Sequence, residues 1–230
     1  MSLPVRSRQE EQMDSLELDA GVYARVLHDL ARVNRWTLAA RPTLSFLKRA
    51  TRGLKSFSLL DVGFGYGDML RTIARWTKNR GIDARLTGID LNPRSAAIAR
   101  QATPSNLRIE YRTGDYAALP PDFDFIISSL VAHHMTDAQL QTFLRFMEKN
   151  ARRGWLINDL HRHGFSHATF PLLARILGAH RIVREDGTLS IARSFRPDEW
   201  PPILAKADIP LDQVRIVRRF PFRLCVERIH

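Results

Sequence analysis

The stretch Leu59-Leu60-Asp61-Val62-Gly63-Phe64-Gly65-Tyr66-Gly67-Asp68 constrains this chain more than any other. A short apolar run, Phe57 to Val62, meets three alternating glycines, and a helical pattern from Met69 to Trp76 follows at once. The pattern describes a buried strand that turns sharply into a helix. Glycine permits the turn and lets a ligand approach the backbone, and a helix amino terminus offers free N–H groups. An ordinary strand-to-helix turn also accounts for a lone glycine pattern. The dinucleotide fingerprint is a rival, but its glycines are spaced differently. Here the order is Asp-x-Gly-x-Gly-x-Gly, with the acid at the end of the strand.

The rest of the chain repeats the alternation. Arg85 to Ile89, Leu107 to Tyr111, Phe123 to Ser128 and Trp155 to Ile157 read as further strands. Helical stretches run from Pro93 to Arg100 and from Asp137 to Met147, the second capped by Thr136 or Asp137. Residues 14–50 read as helices broken at Pro42, and residues 161–196 interrupt the rhythm with an apolar helix near Phe170 to Leu177. Pro197 to Ala207 reads as one more helix. Val214 to Val217 and Phe222 to Val226 are joined by Phe220-Pro221, too short for a crossover helix, so this pair is antiparallel. The fold class is α/β: a Rossmann-like, mostly parallel sheet with helices on both faces. A single domain of 230 residues is expected, with residues 1–50 as a helical cap and 161–196 as an insertion after the fifth strand.

Composition sets bounds. Hydrophobic residues make up 44% of the chain, enough for a sizeable core, yet no apolar run approaches the roughly 20 residues of a membrane span. The start shows no secretory pattern, and the single cysteine rules out an intramolecular disulfide and a cysteine-rich zinc site. A cytoplasmic protein, monomer or homodimer, is expected. The net charge of +11 invites nucleic acid as a partner. The basic residues are mostly arginine and scattered along the chain, which favours a basic solvated surface instead.

Two further acids stand at strand ends. Asp90, in Thr87-Gly88-Ile89-Asp90-Leu91-Asn92-Pro93, can accept hydrogen bonds from ribose hydroxyls or cap the next helix. Asp115, in Gly114-Asp115-Tyr116, can accept from an adenine amino group or serve the turn beside Gly114. Three acids in this order, each at a strand's carboxyl end, are far more specific than any one.

With these motifs, residues 57–160 resemble the class I S-adenosylmethionine-dependent methyltransferase core. The stretch Ile126-Ile127-Ser128-Ser129-Leu130-Val131-Ala132-His133-His134-Met135 resembles that family's segment after strand four. The resemblance implies seven strands with the last antiparallel, and S-adenosylmethionine as cofactor. It implies contacts from Asp61, Gly63, Gly65, Gly67, Asp90, Leu91, Gly114, Asp115, Tyr116 and Ser128. Within the class, the chain is similar to small-molecule enzymes of the quinone-biosynthesis type and to bacterial enzymes associated with polyketide and phenolic-lipid pathways.

Such an enzyme aligns the acceptor and excludes water. A phenol, with a pKa near 10, benefits from a base, and histidine is the natural choice at neutral pH. His133, just past strand four, is the first candidate, and His161, in the cluster Asn158, Asp159, His161, His163 and His167 after strand five, is the second. The spacing of that cluster fits no strong metal motif, so no obligatory metal is expected. Leu16, Leu18 and Tyr23 in front, with Phe165, Phe170, Leu172 and Leu173 behind, are expected to form a lid over a hydrophobic or aromatic acceptor. O-methylation of a hydroxyl or carboxyl leads. C-methylation of an activated ring and methylation of RNA are the alternatives, the latter without a recognisable RNA-binding appendage or amino-methylation motif.

Overall fold

The computed structural model describes residues 3–120 and 122–230. Seven strands form one sheet in the order β3-β2-β1-β4-β5-β7-β6. They are β1 (Ser56–Val62), β2 (Asp83–Asp90), β3 (Ile109–Thr113), β4 (Phe123–Ser129), β5 (Ala151–Leu160), β6 (Arg215–Arg219) and β7 (Arg223–Ile229). All pairings among β1 to β5 are parallel, and β7 runs antiparallel to both of its neighbours, β5 and β6. The chain moves outward through β1, β2 and β3, then returns to place β4 beside β1. That reversal opens a crevice at the carboxyl ends of β1 and β4, where open α/β sheets bind ligands.

The helices are α1 (Ala20–Trp36), α2 (Ala40–Ala50), α3 (Asp68–Lys78), α4 (Pro93–Gln101), α5 (Asp137–Asn150), α6 (Gly164–Ile176), α7 (Arg181–Arg193) and α8 (Trp200–Lys206). The central strands are buried on both faces, as a sheet covered by helices requires. Alternation along each strand sorts its residues. Leu60, Val62, Ile126, Trp155, Ile157, Leu224 and Val226 face a core with Leu140, Phe143, Leu144 and Trp200. Leu59, Phe125, Ile127, Leu156 and Cys225 face a second core with Phe46, Leu47, Leu70 and Ile73. A third cluster joins Val26 and Val33 of α1 to Ala174 of α6 and Ile182 and Val183 of α7. No helix among the described residues is long and apolar enough to cross a membrane.

Several local readings differ from the sequence expectation. The first two helices break at residues 37–39, and Pro42 lies in the first turn of α2, where it lacks no intrahelical N–H bond. Strand β3 starts at Ile109 because Leu107 is held in a turn, its N–H donating to Pro104. Strand β5 begins at Ala151, earlier than its apolar centre suggests, because Gly154 lets it continue past close contact with the backbone of β7. Helix α7 was not anticipated. Its sequence, Arg181 to Arg193, is charged and carries Gly187, yet its buried side includes Asp186, Gly187, Ser190 and Arg193. Gly187 lies against Phe170, where an added Cβ would fall 2.2 Å from a ring carbon. A helix that buries polar groups and a glycine hides its amphipathic period. Thr136 does cap α5, through a reciprocal pair with Gln139.

Candidate active site

A cavity of about 1220 Å³ occupies the crevice, walled by the loops after β1, β2 and β4 and by α1, α6 and α7. Its first wall is the glycine turn. Gly63, Gly65 and Gly67 all have positive φ, at 77°, 52° and 73°, a region that glycine enters without steric cost. Gly63 also lies against Val131 of the loop after β4, and a Cβ there would come within 2.5 Å of that side chain. Gly63 and Gly65 line the cavity. Gly67 does not: it begins α3 and lets the Tyr111 hydroxyl close in to 2.6 Å from where its Cβ would stand.

Asp61 is fully buried at the end of β1 and lines the cavity, and its Oδ1 has no hydrogen-bond partner among the described residues. Burial, together with the neighbouring acids Asp68 and Asp90, pushes its carboxyl up to about 8. Asp90 accepts at Oδ2 from the N–H of Gly65 and at Oδ1 from the N–H of Asn92, both at 2.9 Å. Burial raises its carboxyl against the opposing pull of those hydrogen bonds. Leu91 lines the cavity and is 74% exposed, an apolar rim. Gly114 and Tyr116 reach the cavity as well, Tyr116 packing on Phe143 and Phe146.

Besides Gly67, two more expected contacts are placed elsewhere. Asp115 is exposed and does not line the cavity. Its carboxylate accepts from the N–H of Ala117 and caps the short turn Tyr116–Ala118. Ser128 is buried and donates to the Val62 carbonyl at 3.1 Å, whereas its neighbour Ser129 lines the cavity. Successive strand side chains point to opposite faces, so a shift of one residue decides which serine meets the crevice.

His133 sits on the short turn Ala132–His134 after β4 and is 3% exposed. Asp159, near the end of β5, accepts from its ring Nδ1 at 2.7 Å and from its backbone N–H at 2.9 Å. Burial alone would raise the Asp159 carboxyl, but His133 and the N–H of Leu160 hold it below the usual range. A carboxylate only accepts, so Nδ1 carries a proton, and Nε2 is the ring nitrogen left for another partner. Nε2 lies 3.6 Å from Glu11 Oε1, beyond hydrogen-bond length.

The amino-terminal strap builds the other side of this centre. Arg193 of α7 donates to the carbonyls of Gln9, His133 and His134, and Asp186 accepts from the N–H groups of Gln12 and Met13. These bonds bring Glu11 and Asp14 to the histidines. Asp14 Oδ2 pairs with His134 Nδ1 at 2.9 Å. Burial works against charge on His134, but Asp14 and Glu11 outweigh it and raise the imidazole. Glu11, His133 and His134 offer ligand atoms within 4.8 Å of one another, a set able to hold a metal ion. Arg193, 3.9 Å from Glu11, already supplies positive charge there.

His161 is in a different place. It lines a second cavity with Arg162, His163, Arg196 and Arg218 and is not among the residues that line the crevice. Burial and the charges of Arg218, His163, Arg196 and Arg162 push its imidazole down to about 4. His163 caps α6, and Asn158 is buried, tying β5 to Ala39 and Thr43. Of the expected lid, Leu16, Tyr23, Phe170 and Leu173 line the main cavity, while Leu18, Phe165 and Leu172 do not. Glu11, Asp14, Arg193 and Arg223 were missed, because nothing local to them marks a site.

The comparisons agree with this geometry. Residues 59–154 match the family model for a methyltransferase domain. A SAM-dependent methyltransferase from Aquifex aeolicus is similar at 18% identity and a TM-score of 0.64, covering 93% of this chain and 99% of that one. The plantazolicin methyltransferase BpumL in complex with SAH is 15% identical with a TM-score of 0.64, over 90% and 94% of the two chains. Human N-acetylserotonin methyltransferase in complex with SAM is 15% identical with a TM-score of 0.63, over 92% of this chain and 56% of that one. No curated protein matches by sequence. Over residues 59–154 the chain is similar to methyltransferase domains, and the site fits S-adenosylmethionine: the orphaned buried oxygen of Asp61 beside the glycine turn suits an ammonium group, and Asp90 suits ribose hydroxyls.

Proposed function

We propose that this enzyme methylates a hydroxyl group of a hydrophobic or aromatic small molecule, with His133 as general base. The observation that carries the reading is the Asp159–His133 pair on the cavity wall. Bound in the glycine crevice, S-adenosylmethionine supplies a methyl group on a sulfonium, an electrophile that needs no further activation. Asp61 and Asp90 would hold it, with Gly63 and Gly65 allowing close approach and Leu91 covering it.

His133 accepts the acceptor's hydroxyl proton at Nε2 as the oxygen forms its bond to carbon. Asp159 fixes the ring's tautomer and orientation, and with Glu11 it stabilises the positive ring that results. Leu16, Tyr23, Phe170 and Leu173 line the cavity and exclude water from the transfer. The similar structures serve molecules as unlike as plantazolicin and N-acetylserotonin, so the acceptor is chosen by the wall and not by the fold.

The test is methyl transfer from labelled S-adenosylmethionine to a panel of phenols, aromatic acids, activated ring carbons and RNA. Labelled methyl ethers from phenols support the reading. Label on ring carbon or RNA, with phenols inert, overturns it.

A further inference from the structure

Arg223 opens β7, and because β7 runs antiparallel to β5 it lies opposite Leu160, at the carboxyl end of β5. This is the β4-β5-β7 half of the crevice, across from the glycine turn and Asp90. Arg223 is 2% exposed and lines the cavity. Its Nη2 donates to the Thr37 hydroxyl at 3.1 Å. Its Nε and Nη1 are buried and have no hydrogen-bond partner among the described residues. Three N–H donors of a cation are therefore left unmet in a protein interior, where such groups are almost always paired.

The local acid does not meet them. Asp159 is the acid that most favours the charged guanidinium, but its oxygens accept from His133, twice, and from Leu160. Burial lowers the guanidinium only to about 10, so it stays charged at neutral pH. Beside it, Leu160, its partner across the strands, and Phe222, its neighbour in the chain, are apolar and line the cavity. A lone buried cation in an apolar wall suits an anion carried on an apolar body.

Resting on the reading above, we infer that Arg223 is a specificity residue that binds a carboxylate of the acceptor, so that the substrate is an aromatic hydroxy acid. Asp159 lies between the two functions. It orients His133, and its next residue in β5 pairs with Arg223. The acceptor is thus held by its carboxylate on β7 while its hydroxyl meets the base after β4.

The test uses 3-hydroxy-2-naphthoate and 2-naphthol, which differ by the carboxylate, in equilibrium dialysis against the full chain saturated with S-adenosylhomocysteine. The hydroxy acid is expected to bind at least about tenfold more tightly. Arg223→Met erases the preference, and Arg223→Lys, which keeps the charge but loses the planar donor set, retains part of it. S-adenosylhomocysteine affinity stays the same in both. Equal binding of the two probes, no binding of either, or a preference that survives in Arg223→Met overturns the inference. If the methionine variant does not fold, an undiminished preference in the lysine variant overturns it. Failure to bind S-adenosylhomocysteine at all sinks the methyltransferase reading instead, so the two failures are distinguishable.

Discussion

Asp159 accepts two hydrogen bonds from His133, one from the ring at 2.7 Å and one from the backbone at 2.9 Å. The two bonds fix both the position of the turn and the tautomer of the ring, which makes the pair a unit. His133→Ala is expected to lower kcat by roughly 10²-fold or more, with cofactor affinity nearly unchanged. Asp159→Asn lowers kcat comparably, because an amide no longer dictates which ring nitrogen carries the proton. His161→Ala, in the other cavity, keeps the wild-type rate. Steady-state kinetics with a titration of S-adenosylhomocysteine checks all three, and a wild-type kcat in folded His133→Ala refutes the base.

With an ammonium group of the cofactor at Asp61, binding is expected to be coupled to protons. Its carboxyl, pushed up to about 8 by burial and by Asp68 and Asp90, is mostly neutral at pH 7 in the free protein. A cationic ammonium beside it favours the ionised form, so binding releases a proton. Calorimetry at pH 7 in buffers of different ionisation enthalpy should show that release, and Asp61→Asn should abolish it. Identical enthalpies in all buffers would count against Asp61 as the ammonium partner.

Asp90 accepts from the N–H groups of Gly65 and Asn92 at the end of β2, beside the cavity. Asp90→Ala should weaken S-adenosylmethionine by about 1–3 kcal/mol, the scale of lost bonds to a charged group. The same substitution also frees the N–H groups of Gly65 and Asn92. Hydrogen exchange should therefore speed up at the glycine turn. An unchanged affinity contradicts this role.

The strap is anchored by Asp14 and His134, and the anchor depends on pH. His134 is raised above its ordinary 6.5, so the folded state binds the proton more tightly than the unfolded state. Its contribution is complete below pH 6.5 and is lost as pH rises through the raised value. Asp14 is lowered below 3.8: burial would raise it, but the hydrogen bond and charge of His134 prevail. Its contribution is complete above pH 3.8 and fades as pH falls through the lowered value. The destabilisation caused by His134→Ala, read as a Tm difference, should be greatest between these limits and shrink on either side. A pH-independent difference excludes the ion pair as the anchor.

Glu11, His133 and His134 are near enough to share a cation, but Arg193 stands beside Glu11. Methyl transfer is expected to survive prolonged chelation, since a guanidinium there opposes a second positive charge. Loss of activity on chelation, restored by a divalent ion, would make the cluster a metal centre.

What the amino-acid sequence alone determined about this protein is local in origin. The glycine turn, the alternation of apolar strands with helices, and the acids at the ends of β1 and β2 each depend on residues a few positions apart. Backbone preference and burial act at that range, so Asp61, Asp90 and His133 could be singled out before any fold was known, and all three line the cavity. The tertiary structure decided the rest. It set Asp159 on His133 across 26 positions, sent His161 to another cavity, and turned Asp115 and Ser128 to bonds of their own. It brought Glu11 and Asp14 to the histidines through a strap held by Arg193 and Asp186. The physical reason is that a partner is supplied by strand order and packing, neither of which is written near the residue it serves. Arg223 is the clearest case: in the sequence it is one arginine among many, and only burial at the start of β7, with Nε and Nη1 unpartnered among the described residues, sets it apart.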